Sequence, residues 1–479
     1  MNATQGAGLF NFFKHKPNTT QGAGDTEHLH EKESYNPPSL MNSAQQAAFD
    51  AIEAGKSIFL TGPGGTGKSY LLHQLSLRST KEVSLTAMTG CAALLLNSKA
   101  KTLHSWSGVG LGADVVPLLV SKIRKSRRAA LRWLKTDILV IDEVSMMTTE
   151  LFEKLDEIGR KIRRNELLPF GGLQIVLVGD FFQLPPISTQ TFVFESPLWK
   201  KLGLETHELT EIIRQKDPIF QTILNEARYG ELTKASLKVL RKRMNLDYKS
   251  LTVQPTMLFT RRVEVDQINA RELKKLTTEH YTYNATTVFN PSANTAGLTM
   301  TSPEVQMAVK KFDGNAAYSS ELVLAVGAQV MLLYNLNHEA GLVNGSRGVV
   351  VGFKKIEPND VIDTKEAKIF IKRDETLMPV VEFKSGERRI MDYNTWEVQD
   401  SPGILRKQIP LKLAYAITIH KAQGATLDCA LIDVGGRTFE YGQAYVALSR
   451  CKDIESLYVH DLEAEAFRAN PKVKEFYRG

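Results

Sequence analysis

The sequence predicts an α/β protein whose strands lie in parallel sheets covered by helices on both faces. A glycine-rich loop at residues 62–69 follows the apolar strand pattern of residues 58–60 and precedes leucines at helical spacing. Unbroken apolar runs that end in acid, at residues 137–142 and 174–180, repeat the pattern expected of strands buried on both faces. A length of 479 residues further predicts several domains, because a single hydrophobic core stops growing well below this size.

The glycine-rich loop has the sequence GPGGTGKS and fits the phosphate-binding pattern G-x-x-x-x-G-K-S/T without a mismatch, so it is a P-loop. Its glycines allow backbone N–H groups to close around phosphate oxygens, and the following helix directs its positive N-terminal end at the same place. The lysine of such a loop reaches the β and γ phosphates, and the serine hydroxyl ligates Mg²⁺. We therefore predict ATP and Mg²⁺ as cofactors, bound by Gly62, Gly65, Thr66, Gly67, Lys68 and Ser69.

An acid pair, Asp142 and Glu143, ends the apolar run at residues 137–142. Beside a P-loop, the first carboxylate holds Mg²⁺ together with Ser69, and the second polarises the attacking water. The alternative is an acid pair in a solvent-facing turn at a strand end. Gln183, just past the next apolar run, is predicted to sense the γ-phosphate from the neighbouring strand end.

Two arginines far downstream, Arg214 and Arg450, are predicted to complete the catalytic set. An isolated arginine is usually a surface residue, so neither indicates a site by itself. If the nucleotide lies between two domains, guanidinium groups from the second domain neutralise the charge that develops on the γ-phosphate, an effect worth about 10³ to 10⁵ in rate in comparable enzymes. ATP hydrolysis would then open and close the cleft.

The composition is that of a globular protein with a slightly basic balance. Lys and Arg number 60 against 53 Asp and Glu, and the resulting net charge of +7 leans toward a polyanionic partner such as nucleic acid. No apolar run reaches the roughly 18 residues that would span a bilayer, so no membrane partner is predicted. The cysteines Cys91, Cys429 and Cys451 show neither ligand spacing nor a disulfide framework, which predicts a reducing intracellular compartment, the nucleus or the cytoplasm.

Changes in composition and periodicity divide the chain. Residues 1–38 predict a disordered tail, and residues 39–203, where strands alternate with helices, predict a RecA-like nucleotide-binding domain. A second αβ domain is predicted from residues 204–275 and 407–479, with strands at 256–259, 414–419, 429–434 and 457–459. Between these two parts, residues 276–406 lose helical periodicity and predict an inserted β-rich domain, with short strands at 329–333, 348–353, 368–372, 380–383 and 388–391.

The predicted tail contains a cluster of large apolar side chains, Leu9, Phe12 and Phe13, that a disordered segment does not need. An aliphatic residue followed three positions later by two aromatics resembles a sliding-clamp-binding peptide, although Gln5 stands one position too early for the glutamine of that peptide. A chance hydrophobic cluster is the alternative. A mitochondrial presequence is a further alternative because no acid precedes Asp25, but the absence of arginine argues against it.

Residues 117–135 combine lysines and arginines with apolar residues at helical spacing, which predicts one basic amphipathic helix. Its basic face would either contact DNA phosphates or be solvated, and a charged helix face is more often solvated.

Short motifs follow one another along the chain: NSAQ at 42–45, TGCAA at 89–93, TLHS at 102–105, EVSM at 143–146, GDFFQLPP at 179–186, LVNGSRG at 342–348, IHKAQG at 419–424 and YVALSR at 445–450. In sequence and order they resemble the motifs of the Pif family of DNA helicases, in the 5′→3′ branch of superfamily 1 that also contains RecD-like enzymes. The resemblance extends from residue 41 to about residue 461. Gly64, Thr418 and Ala422 depart from the family pattern, but none is expected to touch phosphate or metal directly.

The resemblance implies two RecA-like parallel-sheet domains with ATP between them, a small β-barrel insertion similar to a Src-homology-3 domain, and a wedge at residues 107–116 that splits duplex DNA. It implies that Gln45 recognises adenine and that Gly424 contacts the nucleotide. For Trp106, packing in the core is the alternative to DNA contact. The DNA-contacting residues that the resemblance implies are Thr89, Gly90, Thr102, His104, Ser105, Trp106, Asn344, His420 and Lys421.

The resulting hypothesis is an ATP-dependent, Mg²⁺-requiring DNA helicase that acts as a monomer. It would move 5′→3′ along single-stranded DNA and unwind tailed or forked duplex DNA in replication, repair or recombination. One alternative is a translocase that strips proteins from DNA. Another is a clamp-recruited ATPase switch, for which the tail would supply the binding peptide.

Overall fold

The computed structural model describes residues 41–479 except 97–99, 111, 187–190, 252, 291–298, 335, 338–339, 341, 343, 357–376 and 399–402. The predicted tail, with Leu9, Phe12 and Phe13, lies outside the described residues, and so does the predicted strand at 368–372.

Helices and strands alternate at both ends of the chain, and strands dominate its middle. In chain order the helices are α1 (Ser43–Glu53), α2 (Lys68–Arg78), α3 (Gly90–Leu96), α4 (Leu103–Ser107), α5 (Val116–Lys125), α6 (Arg127–Lys135), α7 (Thr149–Arg163), α8 (Pro197–Lys201), α9 (Pro218–Tyr229), α10 (Lys234–Arg241), α11 (Arg262–Lys274), α12 (Pro303–Asn315), α13 (Ile419–Ala422), α14 (Gln443–Leu448) and α15 (Pro471–Arg478). The strands are β1 (Ile58–Thr61), β2 (Val83–Ala87), β3 (Lys101–Thr102), β4 (Ile138–Asp142), β5 (Gln174–Val178), β6 (Glu205–Glu208), β7 (Thr256–Phe259), β8 (His280–Asn284), β9 (Thr286–Phe289), β10 (Glu321–Ala325), β11 (Gln329–Leu332), β12 (Arg347–Lys354), β13 (Met378–Phe383), β14 (Arg388–Ile390), β15 (Asn394–Glu397), β16 (Ile404–Gln408), β17 (Leu411–Leu413), β18 (Ala416–Thr418), β19 (Ala430–Val434) and β20 (Leu457–Leu462).

Six parallel strands form the first sheet, in the order β3-β2-β4-β5-β1-β6. Every residue of β1 and β4 is buried, because helices cover both faces of the sheet. One face packs against a core that includes Trp133 and Phe152, and the other against a core that includes Phe49 and Leu71. The RecA-like arrangement predicted from the alternating strands and helices is confirmed.

Capping side chains account for where several helices begin. For α9, Asp217 caps the start, proline occupies the first position and Gly230 ends the helix in the left-handed conformation. The prediction of a single helix at residues 117–135 is wrong. The chain turns at Ser126, whose side chain accepts a hydrogen bond from the N–H of Ala129 and so starts α6 as a separate helix.

Four parallel strands form a second sheet, in the order β18-β7-β19-β20. These are the four strands predicted for the second αβ domain, with ends shifted by a few residues. The residues of β19 are all buried, and the core beneath them includes Phe220 from α9 and Tyr445 and Leu448 from α14.

The middle of the chain forms antiparallel sheets, as predicted for the inserted domain. The largest has five strands in the order β14-β13-β12-β11-β17, beside a three-stranded sheet β15-β16-β9 and the pair β10-β8. The predicted barrel appears as this five-stranded sheet, with β14 and β17 at its edges. Because β17 (Leu411–Leu413) pairs with β11, the predicted return to the second domain at residue 407 comes too early.

Two further segments lie on the first sheet rather than in the second domain where they were predicted. The strand β6, Glu205–Glu208, pairs with β1, so the predicted boundary at residue 204 is wrong. The helix α15 returns from the second sheet: Val473 is buried in the core of the first domain, and the Tyr477 hydroxyl lies 2.6 Å from the Thr61 hydroxyl at the end of β1. The assignment of residues 407–479 to the second domain is therefore wrong for this helix.

In the part of the chain that the structure describes, no helix combines the length and the apolar character needed to cross a bilayer.

Candidate active site

The P-loop between β1 and α2 is in direct contact with the segment that carries Arg214. The N–H groups of Ile213 and Arg214 donate hydrogen bonds to the Gly65 carbonyl at 2.9 and 3.1 Å. Gly65 has φ +90°, and a Cβ there would lie only 2.7 Å from Gln215 Oε1 and 2.8 Å from Arg214 Cβ. Only glycine permits both this backbone conformation and this approach. The structure thus brings one predicted arginine to the loop.

Lys68 lies inside the loop rather than in solvent. Its Nζ donates hydrogen bonds to the carbonyls of Gly62 at 2.6 Å and Pro63 at 2.8 Å. Burial lowers the pKa of Lys68 to about 8, and nearby carboxylates, that of Asp180 first, partly oppose this shift. Ser69 follows at the exposed start of α2.

The acid pair lies at the end of β4, in the same sheet as the strand β1 that precedes the P-loop, and it is buried. Asp142 and Glu143 are each 8% exposed, and Asp142 Oδ1 accepts a hydrogen bond from the Glu143 N–H at 2.8 Å. Burial and then the neighbouring charge of Glu143 raise the pKa of Asp142 to about 7. The alternative of a solvent-facing turn is therefore excluded, and the pair favours a nearby cation.

The chemistry of these side chains fits Mg²⁺. The described residues contain no group of three His, Cys, Asp or Glu side chains placed to hold a metal ion. Mg²⁺ at a nucleotide site does not need such a group, because one or two protein oxygens, the phosphates and water complete its shell. The Ser69 hydroxyl and the Asp142 carboxylate would supply those protein oxygens.

Arg214 and Arg450 both lie close to the P-loop, Arg214 on the segment that joins β6 to α9 and Arg450 just after α14. The Arg214 Nη1 donates to the Ser449 carbonyl at 3.2 Å, and a Cβ on Gly64 would lie 3.7 Å from Arg450 Nη2. Burial and then the charge of Arg450 lower the pKa of Arg214 to about 10, and burial also lowers the pKa of Arg450. Neither guanidinium forms an ion pair with another described residue. Two mutually repelling cations, Arg450 buried and Arg214 half-buried, are suited to an anion such as the γ-phosphate.

Gln183 lies in the turn after β5 and is 6% exposed, which places it at the strand end expected for a γ-phosphate sensor. The same turn holds Asp180, whose carboxylate binds Arg228 of α9. Tyr445 lies beside it: its hydroxyl accepts a hydrogen bond from the Gly64 N–H at 2.8 Å and lies 3.3 Å from Asp180 Oδ2.

Sequence reasoning missed both Arg228 and Tyr445. Arg228 had a detectable signal, because it stands four residues after Leu224 on the apolar stripe of α9, where a charge requires a buried partner. Tyr445 had no such signal.

The two further residues predicted to bind nucleotide also lie at the cleft. Gln45 is 2% exposed; its Nε2 donates to the Thr66 carbonyl at 3.4 Å and its Oε1 accepts from the Asn42 N–H at 3.1 Å. Gly424 has φ +78°, and a Cβ there would lie 3.3 Å from Glu143 Oε1. The backbone after α13 therefore passes directly over the acid pair.

Several predicted DNA contacts line one cleft on the first domain. A depression of about 430 Å³ is lined by Thr89, His104, Met146 and Lys154, among others. Gly90 begins α3 next to Thr89, whose hydroxyl accepts from the Ala92 N–H at 3.2 Å. Thr102 caps α4 in the same way. Burial lowers the pKa of His104, so this ring is neutral and offers hydrogen bonds rather than charge.

A second set of predicted contacts lies on α13 of the second domain. His420 and the exposed Lys421 lie on α13, and burial lowers the pKa of His420. Burial lowers the pKa of Lys412 on β17. The positive charge of Lys421 lowers this pKa further, whereas Cys91 of α3 raises it. Lys412, which sequence reasoning missed, is therefore near both Cys91 and Lys421.

Asn344 lies in the turn before β12. This turn contacts the loop after α13, because a Cβ on Gly345 would lie 3.0 Å from the Thr426 carbonyl. The structure thus places Asn344 beside the loop that follows His420 and Lys421.

Two predicted DNA contacts are not at the surface. Trp106 is 2% exposed, and its ring centroid lies 4.8 Å from that of Trp133 in the core. Ser105 is 8% exposed, and its hydroxyl is buried. The predictions that these side chains contact DNA are wrong, because the apolar face of the short helix α4 must pack against α6. For Trp106 the alternative of core packing is confirmed.

The basic residues of α5 and α6 divide between structural and solvated roles. Arg132 donates to the carbonyls of Trp106 and Ser105 at 2.6 and 2.8 Å, and Arg124 donates to the Lys161 carbonyl at 3.0 Å. The remaining exposed cations include Lys125, Arg127, Arg128 and Lys135.

The chain is similar to known proteins over most of its length. Family models match residues 40–236, described as PIF1-like helicase, and residues 312–353, described as the 2B domain of the DNA helicase Pif1. ATP-dependent DNA helicase RRM3 of Saccharomyces cerevisiae is 32% identical over 97% of this chain and 71% of its own length. The chain belongs to the PIF1-like helicase family.

Other members of the PIF1-like helicase family are longer. ATP-dependent DNA helicase PIF1 of Emericella nidulans is 37% identical over 89% of this chain but only 61% of its own length. The chain spans less than two thirds of the first curated relatives that it matches.

Solved structures of PIF1-like helicases share the fold. The crystal structure of Pif1 helicase from Candida albicans is 34% identical, with a TM-score of 0.72 over 92% of this chain and 99% of that chain. Pif1 helicase from Bacteroides, in complex with ADP-AlF3 and ssDNA, is 27% identical, with a TM-score of 0.64 over 92% and 97% of the two chains.

Proposed function

We propose that this chain is an ATP-dependent DNA helicase. The proposal is carried by the meeting of groups from both sheets: Arg450 of the second domain, and Arg214 on the segment that joins β6 to α9, lie against the P-loop of the first domain, which also carries Lys68 and the acid pair. Guanidinium groups that reach a P-loop across a cleft make hydrolysis depend on cleft closure. A nucleotide site of this kind converts hydrolysis into relative movement of the two sheets.

Each side chain has a defined role in this proposal. Lys68 and the loop N–H groups bind the phosphates, and Ser69 and Asp142 hold Mg²⁺, which supplies charge neutralisation at the phosphate oxygens. Glu143 accepts a proton from the attacking water, and Gln183 orients that water or the γ-phosphate. Arg214 and Arg450 neutralise charge on the γ-phosphate as the leaving oxygen departs. The other proposed nucleotide contacts are Gln45, Gly62, Gly65, Thr66, Gly67 and Gly424.

The DNA strand is proposed to lie in the groove between α3, α4 and α13. Threonine-capped helix ends and lysines from both domains suit a phosphate backbone that is bound without regard to sequence. The relatives named above are DNA helicases, and the Bacteroides structure carries ssDNA, which supports this choice of substrate. Movement in the 5′→3′ direction, the wedge at residues 107–116, the monomeric state, clamp binding and a location wherever the cell keeps its DNA are parts of the same proposal.

The central test is ATP hydrolysis with and without single-stranded DNA. The wild type should be stimulated by DNA, Lys68→Ala should lose about 10²-fold or more of the stimulated rate, and chelation of Mg²⁺ should abolish it. Lys201→Ala, which removes an exposed lysine of α8, is the matched control and should behave as wild type. DNA-stimulated hydrolysis by Lys68→Ala at the wild-type rate would contradict the proposal.

Direction and unwinding need a separate measurement. Duplexes with either a 5′ or a 3′ single-stranded tail should distinguish the two polarities, and we expect unwinding of the 5′-tailed substrate alone. Unwinding of only the 3′-tailed duplex would reverse the proposed direction. Removal of a bound protein block without strand separation would favour the translocase instead.

A further inference from the structure

The catalytic carboxylate of Glu143 is held by a side chain from the other domain. Gln423 Nε2 donates a hydrogen bond to Glu143 Oε2 at 2.7 Å, across 280 positions of sequence. Gln423 is 1% exposed and Glu143 is 8% exposed. A carboxylate only accepts hydrogen bonds, so the amide nitrogen must be the end of Gln423 that faces it. A buried, charge-assisted hydrogen bond of this kind is strong and directional.

Glu143 has few other restraints near its carboxylate. Its backbone has φ 56°, in the left-handed region that non-glycine residues rarely adopt, and its N–H is bound to Asp142 Oδ1. These features fix the backbone but form no hydrogen bond to the carboxylate. Among the described residues, the hydrogen bond from Gln423 is the one that the Glu143 carboxylate accepts, and it favours the direction in which the carboxylate points.

The segment that carries Gln423 is itself held on both sides. The Arg450 Nη1 donates to the carbonyls of Ala422 and Ala425, at 3.3 and 3.2 Å. Gln423 also directly follows α13, on which His420 and Lys421 face the proposed DNA groove. This short segment thus connects Lys421 of α13 with Arg450 and with the Glu143 carboxylate of the first domain.

We propose that Gln423 is a positioning residue that aims the Glu143 carboxylate at the attacking water, and that α13 transmits DNA binding to hydrolysis through this hydrogen bond. The inference rests on the proposed function. A strand bound at Lys421 shifts α13, and the shift reaches Glu143 without passing through the nucleotide. Hydrolysis is then fast only when both the strand and the second domain are in place.

The test uses Gln423→Leu, which nearly keeps the side-chain volume and removes only the hydrogen-bonding amide. We expect the DNA-stimulated kcat to fall by about 10- to 100-fold, because misdirection of a general base by about 1 Å has that size of effect. The KM for ATP and the Kd for single-stranded DNA should stay within about 3-fold, since the Gln423 side chain is buried and its amide hydrogen-bonds to Glu143. The same substitution in a Glu143→Gln background, followed by single-turnover hydrolysis, should cause no further loss.

Gln443→Leu is the matched control. Gln443 is also fully buried in the second domain, but its Oε1 accepts from the N–H groups of Phe439 and Glu440 instead of reaching Glu143. Gln443→Leu should lower the melting temperature, and it should reduce kcat by the same factor in the wild-type protein and in the Glu143→Gln variant. The inference is overturned if Gln423→Leu behaves in this additive way, or if it changes only KM or the melting temperature. A wild type without DNA-stimulated hydrolysis would instead refute the proposed function, and the inference would fall with it.

Discussion

Arg228 and Asp180 form a buried, bidentate ion pair across the interface between the two sheets. The Arg228 Nε lies 3.0 Å from Asp180 Oδ2, and its Nη2 lies 3.1 Å from Oδ1. The side chains are 2% and 0% exposed, and the guanidinium also lies 4.8 Å from the centre of the Phe182 ring. Burial alone would lower the pKa of Arg228, but the charge of Asp180 raises it above its usual value. The pair anchors α9 to the turn that carries Gln183.

Removal of one partner from this pair should destabilise the protein strongly. We expect Arg228→Met to lower the free energy of unfolding by about 3 to 5 kcal/mol, because it leaves the buried Asp180 carboxylate without its ion-pair partner. Urea denaturation would measure the loss. The double variant Asp180→Asn with Arg228→Met should recover part of it, since no uncompensated charge remains.

The exposed pair Arg262 and Asp266 provides the matched control. Its charged atoms are 3.5 Å apart, but the side chains are 76% and 66% exposed. Arg262→Ala should therefore change stability by less than about 0.5 kcal/mol. Equal losses for Arg228→Met and Arg262→Ala would show that the buried pair is not a structural anchor.

Tyr445→Phe should strengthen ATP binding. The Tyr445 hydroxyl accepts a hydrogen bond from the Gly64 N–H, which belongs to the group of loop amides that bind phosphate. The Tyr445 hydroxyl therefore competes with phosphate for this N–H. Its removal, at about 1 kcal/mol for the hydrogen bond, should lower the Kd for a non-hydrolysable ATP analogue by about 5-fold. Fluorescence titration would measure it, with Tyr458→Phe on β20 as the control. An unchanged or weaker affinity would contradict the prediction.

Gly65→Ala should abolish ATP hydrolysis. An alanine Cβ would lie 2.7 Å from Gln215 Oε1 and 2.8 Å from Arg214 Cβ, so the substitution displaces Arg214 as well as straining the loop. Gly203→Ala separates these two effects, because Gly203 has φ +58° but a Cβ at that position would meet no atom within 4 Å. It should cost about 1 kcal/mol of stability and leave hydrolysis at the wild-type rate. Full activity of Gly65→Ala would refute the close approach.

Lys412→Ala and Lys421→Ala should each weaken binding of single-stranded DNA in a salt-dependent way. Each lysine that contacts a phosphate contributes about 0.7 to the slope of log affinity against log salt. Fluorescence anisotropy with a labelled oligonucleotide at several salt concentrations should show both slopes reduced by that amount. Lys201→Ala should keep the wild-type slope. A reduced affinity with an unchanged slope would mean that neither lysine contacts a phosphate.

Elements with a strong local pattern were predicted well from sequence. The fully buried strands β1, β4 and β19 appear as continuous apolar runs because both of their faces are covered. The edge strand β6, with the sequence ETHE and alternate residues exposed, has no such run and was missed. The prediction of a single helix at 117–135 was wrong because a serine is compatible with a helix interior. Only the structure shows that Ser126 instead caps the start of α6.

The sequence by itself determined the chemistry of the nucleotide site, because the P-loop and the acid pair are local motifs whose spacing dictates their geometry. Only the tertiary structure decided which distant groups complete that site. Gln423 reaches Glu143 across 280 positions and Arg228 reaches Asp180 across 48, and no local pattern specifies such pairs. The packing of the two sheets decides them, and the same packing buries Trp106 in the core rather than exposing it to DNA.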